Sequence, residues 1–480
     1  MKKVLYVIVM LVTLSVSVVG ITYLLEDKES SRRYASFYEE EDEYDVFFVG
    51  SSHVRYAFLP MELWQKYGIT SYNIAGDGNT IPVSYWILVN ALDYHKPKVV
   101  VMDIYNNWPG RVFASSWGQV HYSVDAIPLS INKYRMIEEL FSDESLTDGK
   151  GNTVYNKRGE LIFSLGAYHS RWDELTEHDF VTKRDRIKQS RTWKGASLLR
   201  GVTKRIEHQY DNDYRIDEND STSLNYLDRI ISLCEDNDIE LLLINTGIDC
   251  SDESKAFADS VYDIIEKKNI PYIDFTQTDI LDYDTDLRDT GTNTHVNFSG
   301  AQKLTDYLGN YLSEKYSLQD HRKDSDYKKW YDDSTMYSES KIRMMSECDN
   351  IDIYLMMMYA QDYSVIFMIN DTNDFMTDKT IDLFENLGIN GSDVQDNNMI
   401  VLNIPESDSV TYDMRDCINS VHSTPLGDIC LVDKGQNDIE ILIDNEKITD
   451  YSSDDILGIQ IIVMNDGNVV DLKEFGLTEE

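Results

Sequence analysis

The sequence predicts an α/β protein: a mainly parallel sheet in a three-layer α/β/α arrangement, behind an N-terminal transmembrane helix and ahead of a small α+β domain. Three observations predict it. Short apolar runs, "VFFV" at 46–49 the first, alternate with amphipathic helical patterns, as a parallel sheet covered on both faces requires. An uncharged and mostly apolar run over residues 4–25 precedes them. Beyond residue 348 the pattern changes to closely spaced apolar runs separated by turn chemistry.

The N-terminal run follows "MKK", and its 22 residues are enough to cross a bilayer as a helix. It is longer than the apolar core of a cleaved signal peptide and no A-x-A site follows, so residues 1–25 read as an uncleaved signal anchor. Lys2 and Lys3 favour a cytoplasmic N-terminus, although Lys28, Arg32 and Arg33 blunt the asymmetry. Without a second apolar span, the remainder is expected on the extracytoplasmic side of the cell membrane, held by a single pass. Residues 26–43 read as a charged spacer.

The first folded unit is expected over 44–315. Strands are predicted at 45–49, 70–74, 98–104, 239–246 and 271–275, with helices at 81–94, 222–237, 254–268 and 299–315. Residues 105–220 break the rhythm and read as an insertion shaping a cleft or a lid. The polar stretch 316–348 reads as a linker or a charged surface helix. The accessory α+β domain, 349–480, is expected to contain strands in "YSVIFMIN", "MIVLNI", "DICLVD" and "IEILID" and a helix in "DKTIDLFENLGI". It closes on a hairpin reversing at Asn465-Asp466-Gly467.

Composition narrows the function. The formal charge of −41 over 480 residues repels phosphate backbones and argues against nucleic acid as a partner. The nine histidines lack HxH or HExxH spacing, and the five cysteines lack any CxxC pair, so neither a metal nor another cofactor is expected. Cys417 and Cys430 form the nearest pair for one disulfide; a set of buried free thiols is the alternative.

Ligands of open parallel sheets sit beyond the C-terminal ends of the strands. After the first strand come Gly50, Ser51, Ser52 and His53; after the second, "NIAGDGNT"; after the third, "YNNWPG". Far along the chain, "THVNFSGAQKLTDYLG" places His295 just before a helix expected to start near Ser299. Acyl transfer needs such parts. A serine hydroxyl must lose its proton to a base, the tetrahedral oxyanion needs preorganised N–H donors, and a carboxylate orients the histidine. Taken alone, Ser52 could equally cap the following helix, and His53 is a poor base because neighbouring residues in a turn diverge.

The order of these blocks resembles the SGNH (GDSL-type) hydrolase superfamily, whose flavodoxin-like domain carries a serine after the first strand. A glycine after the second and an asparagine after the third complete its oxyanion hole, and a late Asp-x-x-His block supplies acid and base. The resemblance implies Ser52 as nucleophile and His295 as general base. Gly78 (or Gly76) and Asn107 (or Asn106) are the implied oxyanion donors. Two departures stand out: Thr292 occupies the position three before His295, leaving Asp289 as the substitute acid, and the third block lacks the family's Gly-x-Asn-Asp form.

The resemblance is closest to the membrane-anchored, extracytoplasmic branch, with its alginate O-acetyltransferase-like and teichoic-acid D-alanyl-transfer-like members. It implies O-acyl transfer or ester hydrolysis on a cell-envelope polysaccharide, with a membrane-bound acyltransferase as a candidate partner. A catalytically silent scaffold that binds polysaccharide or such a partner is the rival reading. His169, Arg171 and Trp172 ("YHSRW") suit substrate binding, or simply a surface ion pair packed on a tryptophan. The C-terminal unit faintly resembles the carbohydrate-associated domain of interleukin-like epithelial–mesenchymal-transition inducers, with its segments in the opposite order.

Overall fold

The computed structural model describes residues 2–105, 111–113, 116–206, 222–248, 251–289, 294–372, 376–435, 438–452 and 457–477. Five of the apolar runs pair as one sheet. Strand β1 (Val46–Val49) lies between β2 (Ser71–Asn73) and β3 (Val99–Asp103), and β4 (Glu240–Asn245) and β5 (Tyr272–Asp274) follow on the β3 side. The order is β2-β1-β3-β4-β5 and every pairing is parallel, with Phe48 opposite both Asn73 and Val101.

Alternation along β1 sends Val46 and Phe48 into one core and Phe47 and Val49 into another. Both faces are covered, which is why the run carries no polar residue. Each buried phenylalanine contributes about 2 kcal/mol by the apolar area it removes from water.

The helices of the N-terminal half are α1 (Lys2–Leu25), α2 (Lys28–Glu39), α3 (Ser52–Ala57), α4 (Pro60–Tyr67) and α5 (Ile81–Ala91). Residues 105–220 contribute α6 (Trp117–Val124), α7 (Ile131–Phe141), α8 (Leu165–Tyr168) and α9 (Lys183–Trp193). After them come α10 (Thr222–Asp236), α11 (Asp252–Lys268), α12 (Phe298–Tyr316), α13 (Lys328–Ser346), α14 (Ile351–Met358) and α15 (Asp378–Asn386). Val54 of α3, Leu63 of α4 and Leu304 and Leu308 of α12 cover the Phe48 face. Phe37 of α2, Leu88 of α5, Ile230 of α10 and Val261 of α11 cover the Phe47 face.

Helix α1 is long and apolar enough to cross a membrane, as an anchor or as a signal sequence. Along its length only Leu25 is buried.

Two segments differ from the sequence expectation. The spacer, 26–43, contains α2, whose Tyr34, Phe37 and Tyr38 recur at helical spacing, with Tyr34 and Phe37 buried. Asp27 caps it through the Glu29 N–H at 2.8 Å. Of the two expectations for 316–348 the helix holds and the linker does not, and the helix is more than a surface one: α13 buries Trp330 and Tyr337 against the first unit. Its Asp333 is fully buried and pairs with Lys194 at 2.8 Å and Arg191 at 2.6 Å. Breaking such a desolvated pair from one side costs about 3–5 kcal/mol, which holds α13 to its place.

The C-terminal unit forms two antiparallel sheets. One has the order β14-β13-β6-β7-β8, from β6 (Ser364–Ile369), β7 (Asn398–Asn403), β8 (Asp408–Asp413), β13 (Leu457–Asn465) and β14 (Asn468–Leu477). The other, β12-β11-β10-β9, uses β9 (Val421–Thr424), β10 (Gly427–Gly435), β11 (Asp438–Ile443) and β12 (Glu446–Ser452). The expected hairpin joins β13 to β14 through Asp466 and Gly467, at φ 49° and 76°. Two consecutive positive φ angles are what a two-residue type I′ turn needs. One hydrophobic cluster runs from the Phe48 face through α14 into β6 and β13, so the two units share a core. Cys417 and Cys430, like Cys234 and Cys348, are free thiols.

Candidate active site

The turn from β1 into α3 treats its two serines differently. Ser51 is the N-cap of α3, its hydroxyl accepting from the His53 N–H at 3.3 Å. Ser52 is therefore the first helical residue, its side chain is not spent on capping, and its own N–H has no intrahelical acceptor. Gly50 makes the turn. It sits at φ +154°, and a Cβ there would lie 2.7 Å from Val54 Cγ2 and 2.9 Å from Asp103 Cβ. Only glycine lets α3 close this tightly over the ends of β1 and β3.

Ser52 Oγ lies 2.8 Å from His295 Nε2, across 243 residues of chain. His295 precedes α12, which Asn297 caps through the Gly300 N–H at 3.2 Å. Its buried ring is flanked by two aromatic groups: His53 at 4.5 Å between centroids and Tyr56, edge-on, at 5.5 Å. His53 in turn packs on Tyr105 at 4.0 Å.

Asp289 reaches His295 through a small reversal of the chain, not a helical turn. Leu287 bridges Val296 antiparallel, and the Arg288 N–H donates to the His295 carbonyl at 2.9 Å. This places Asp289 Oδ2 3.3 Å from His295 Nδ1, while Oδ1 accepts the His295 backbone N–H at 2.8 Å. Burial pushes the Asp289 carboxyl up, but its two hydrogen bonds to His295 outweigh that and hold it below the usual carboxylate range. The carboxylate is half-exposed, unlike the ring it faces.

The loop after β2 is tied to the same turn. The Gly76 N–H donates to the Gly50 carbonyl at 3.1 Å, so it is not available as an oxyanion donor. Gly78, the other glycine expected there, stands at φ +69° at a turn in the same loop. Arg55, one helical turn beyond Ser52, pairs with Asp77 at 2.5 Å and with Glu29 of α2 at 2.6 Å. Helix α2 grips the loop from the other side, where Tyr34 Oη donates to the Ala75 carbonyl at 2.9 Å and the Arg33 guanidinium donates to the same oxygen. No family model matches this chain, and no curated protein matches it.

Three positioning residues thus escaped the sequence reading: Arg33, Tyr34 and Arg55. The signal for the first two was the aromatic spacing Tyr34, Phe37, Tyr38, which marks a helix that must pack somewhere. Nothing in the sequence marks Arg55 as their counterpart.

Beneath the site, Asp103 ends β3 and is buried. Its Oδ1 accepts the N–H groups of Tyr105 at 3.2 Å and Thr246 at 3.1 Å. Burial nevertheless pushes its pKa up to about 7, because neutral N–H donors offset only part of the lost hydration.

Asn106 and Asn107 lie outside the described residues. His169, Arg171 and Trp172 make contacts of their own, and no hydrogen bond or ion pair among the described residues joins them to Ser52, His295 or Asp289. Arg171 Nη1 donates to the carbonyls of Leu25 at 2.7 Å and Glu26 at 3.0 Å, at the end of α1. His169 turns back to its own backbone, with Nδ1 2.8 Å from the Gly166 carbonyl, and Trp172 is 69% exposed. A cleft of about 890 Å³ opens elsewhere, between α4 and α12, lined by Tyr67, Tyr307, Tyr311 and Tyr359 among others and by none of Ser52, His295 and Asp289.

Proposed function

We propose that the chain is a membrane-anchored, extracytoplasmic serine enzyme of the SGNH type that moves or removes O-acyl groups on a cell-envelope polysaccharide. The observation that carries the reading is the continuous hydrogen-bonded line from Ser52 Oγ through both ring nitrogens of His295 to Asp289. The sheet order adds support. A strand order of 2-1-3-4-5 is that of flavodoxin-like sheets, with its switch point between β1 and β3, where ligands of such sheets bind. Ser52 follows β1 directly.

In this mechanism His295 Nε2 takes the Ser52 proton as Oγ attacks the carbonyl carbon of an acyl ester or thioester. Asp289 accepts from Nδ1–H, which fixes the tautomer that leaves Nε2 basic, and it stabilises the imidazolium that forms. The N–H groups of Ser52 and Gly78, with the Asn107 amide, hold the oxyanion. When the intermediate collapses, His295 returns the proton to the leaving oxygen or sulfur. A sugar hydroxyl then attacks the acyl-serine in a transferase, or water in an esterase.

The anchor reading draws on the end of α1. Leu25 is buried, and Tyr23 Oη donates to the Val181 carbonyl at 2.8 Å, so cleavage after this helix would remove contacts of the folded unit. Lys2 and Lys3 favour the cytoplasmic side for the N-terminus.

The test uses the full chain in detergent, because cutting near residue 30 would remove Glu29 and the first turn of α2. Wild type and Ser52→Ala are mixed with p-nitrophenyl acetate, and intact masses are recorded. The expected result is a nitrophenol burst and an acetyl adduct on wild type alone. Equal slow release and no adduct on either protein, with acetyl thioester donors as well, would favour a non-catalytic scaffold.

A further inference from the structure

Every described phenylalanine or tryptophan that is exposed belongs to one short segment: Phe163 at 50%, Trp172 at 69% and Phe180 at 67%, with Ile162 at 43% beside them. A folded unit this well packed has no need to leave three such rings in water. The segment is fixed to the last turn of α1 at several points. Arg171, next to Trp172, donates to the Leu25 and Glu26 carbonyls that the helix end leaves without intrahelical partners. Val181, next to Phe180, accepts from Tyr23 Oη, and the Arg186 guanidinium lies 4.4 Å from the Tyr23 ring. Helix α8, which follows Phe163, packs against α1 directly.

We propose that residues 162–180 form a collar that inserts Ile162, Phe163, Trp172 and Phe180 into the bilayer interface where α1 leaves the membrane. The proposal rests on the anchor reading above and is independent of the chemistry at Ser52. At 24 residues, α1 is about 36 Å long, slightly more than a hydrocarbon core of about 30 Å, which brings its last turn to headgroup level. Tryptophan is enriched at that depth, and segments lying in the interface bury phenylalanine and aliphatic side chains beside it. The segment also carries Asp173, Glu174 and Glu177, so its contact with lipid is apolar rather than an attraction to anionic headgroups. The folded unit is then held at two places, by the helix and by the collar, which fixes its tilt over the bilayer.

Trp172 is itself the probe. Full-length chain is reconstituted in phosphatidylcholine nanodiscs containing phosphatidylcholine brominated near the headgroup end of its acyl chains. Tryptophan emission is compared between wild type and Trp172→Phe, a substitution that keeps an exposed ring and leaves the fold undisturbed. Most of the wild-type quenching is expected to disappear in the variant. Equal quenching in the two proteins overturns the collar. Resistance to alkaline carbonate extraction reads the anchor separately. A chain released by carbonate overturns anchor and collar together, while a retained chain with unquenched Trp172 overturns the collar alone.

Discussion

Asp289→Asn should damage the site more than Asp289→Ala, the reverse of the usual expectation for the milder substitution. The reason lies in the other oxygen. Asp289 Oδ1 is committed to the His295 backbone N–H at 2.8 Å, and an asparagine keeps that bond only by putting its carbonyl oxygen there. Its NH2 group must then face Nδ1, where it donates, and the imidazole is driven to the tautomer with hydrogen on Nε2. That nitrogen can no longer accept the Ser52 proton.

Alanine removes the carboxylate but leaves Nδ1 to water, and either tautomer can form. Losing a hydrogen bond to a charged group costs about 1.5–3 kcal/mol, and the half-exposed carboxylate belongs at the low end, so alanine should slow acylation roughly 10- to 30-fold. The asparagine amide adds about 1 kcal/mol in favour of the wrong tautomer, a further factor of about five. Single-turnover nitrophenol release from p-nitrophenyl acetate, on proteins matched for thermal unfolding, measures both. An asparagine variant as fast as the alanine variant, or faster, would refute the placement of Asp289 as the residue that sets the tautomer.

Two further changes probe the support beneath the serine. Gly50→Ala forces a Cβ against Val54 and the Asp103 Cβ, at 2.7 and 2.9 Å, and overpacking of this kind costs about 1–3 kcal/mol. The burst should fall by more than the loss of folded protein accounts for, because α3 must shift to relieve the clash; an unchanged burst would mean the turn has slack. Asp103→Asn should flatten the pH dependence of stability. With a pKa of about 7 when folded against 3.8 as the ordinary value, the folded chain holds a proton that the unfolded chain releases, so stability falls as pH rises from about 4 to about 7. The full loss is on the order of 4 kcal/mol, or up to about 8 °C in Tm. Asparagine keeps an acceptor for Tyr105 and Thr246, and its advantage over wild type should grow from pH 5 to pH 8. Parallel melting curves at the two pH values would show that Asp103 does not titrate there.

The parallel sheet was legible because a strand buried on both faces has to be apolar throughout, and Val46–Val49 and Val99–Val101 have no other reason to be so. Ser52 and His295 were legible as candidates because Ser52 stands just past a strand end and because the order of their two blocks resembles the SGNH superfamily. Asp289 was readable only as a candidate, since nothing local shows that Leu287 and Val296 pair and fold the acid back.

The packing of residues 26–43 and of the helix in 316–348 was missed for one reason. Their buried faces are aromatic and charged, with Tyr34, Arg33, Trp330 and Asp333 among them, and such residues score as surface until partners such as Lys194 are known. His169, Arg171 and Trp172 carry the chemistry of recognition, but two of them face a helix end and solvent instead of Ser52. Strands β8, β9 and β12 are polar or half-exposed and pair in antiparallel sheets, so their sequences have no sustained apolar run to detect.

The Arg55–Glu29 ion pair sets a leash. Glu29 follows the end of α1 by four residues, and Arg55 follows Ser52 by three. Four residues of chain, two side chains and one helical turn amount to a reach on the order of 30 Å. On the proposed anchor, Ser52 lies within that distance of the lipid surface. For the proposed acyl transfer, its encounters would then be set by how densely acceptor strands crowd that thin layer, a concentration per area rather than per volume.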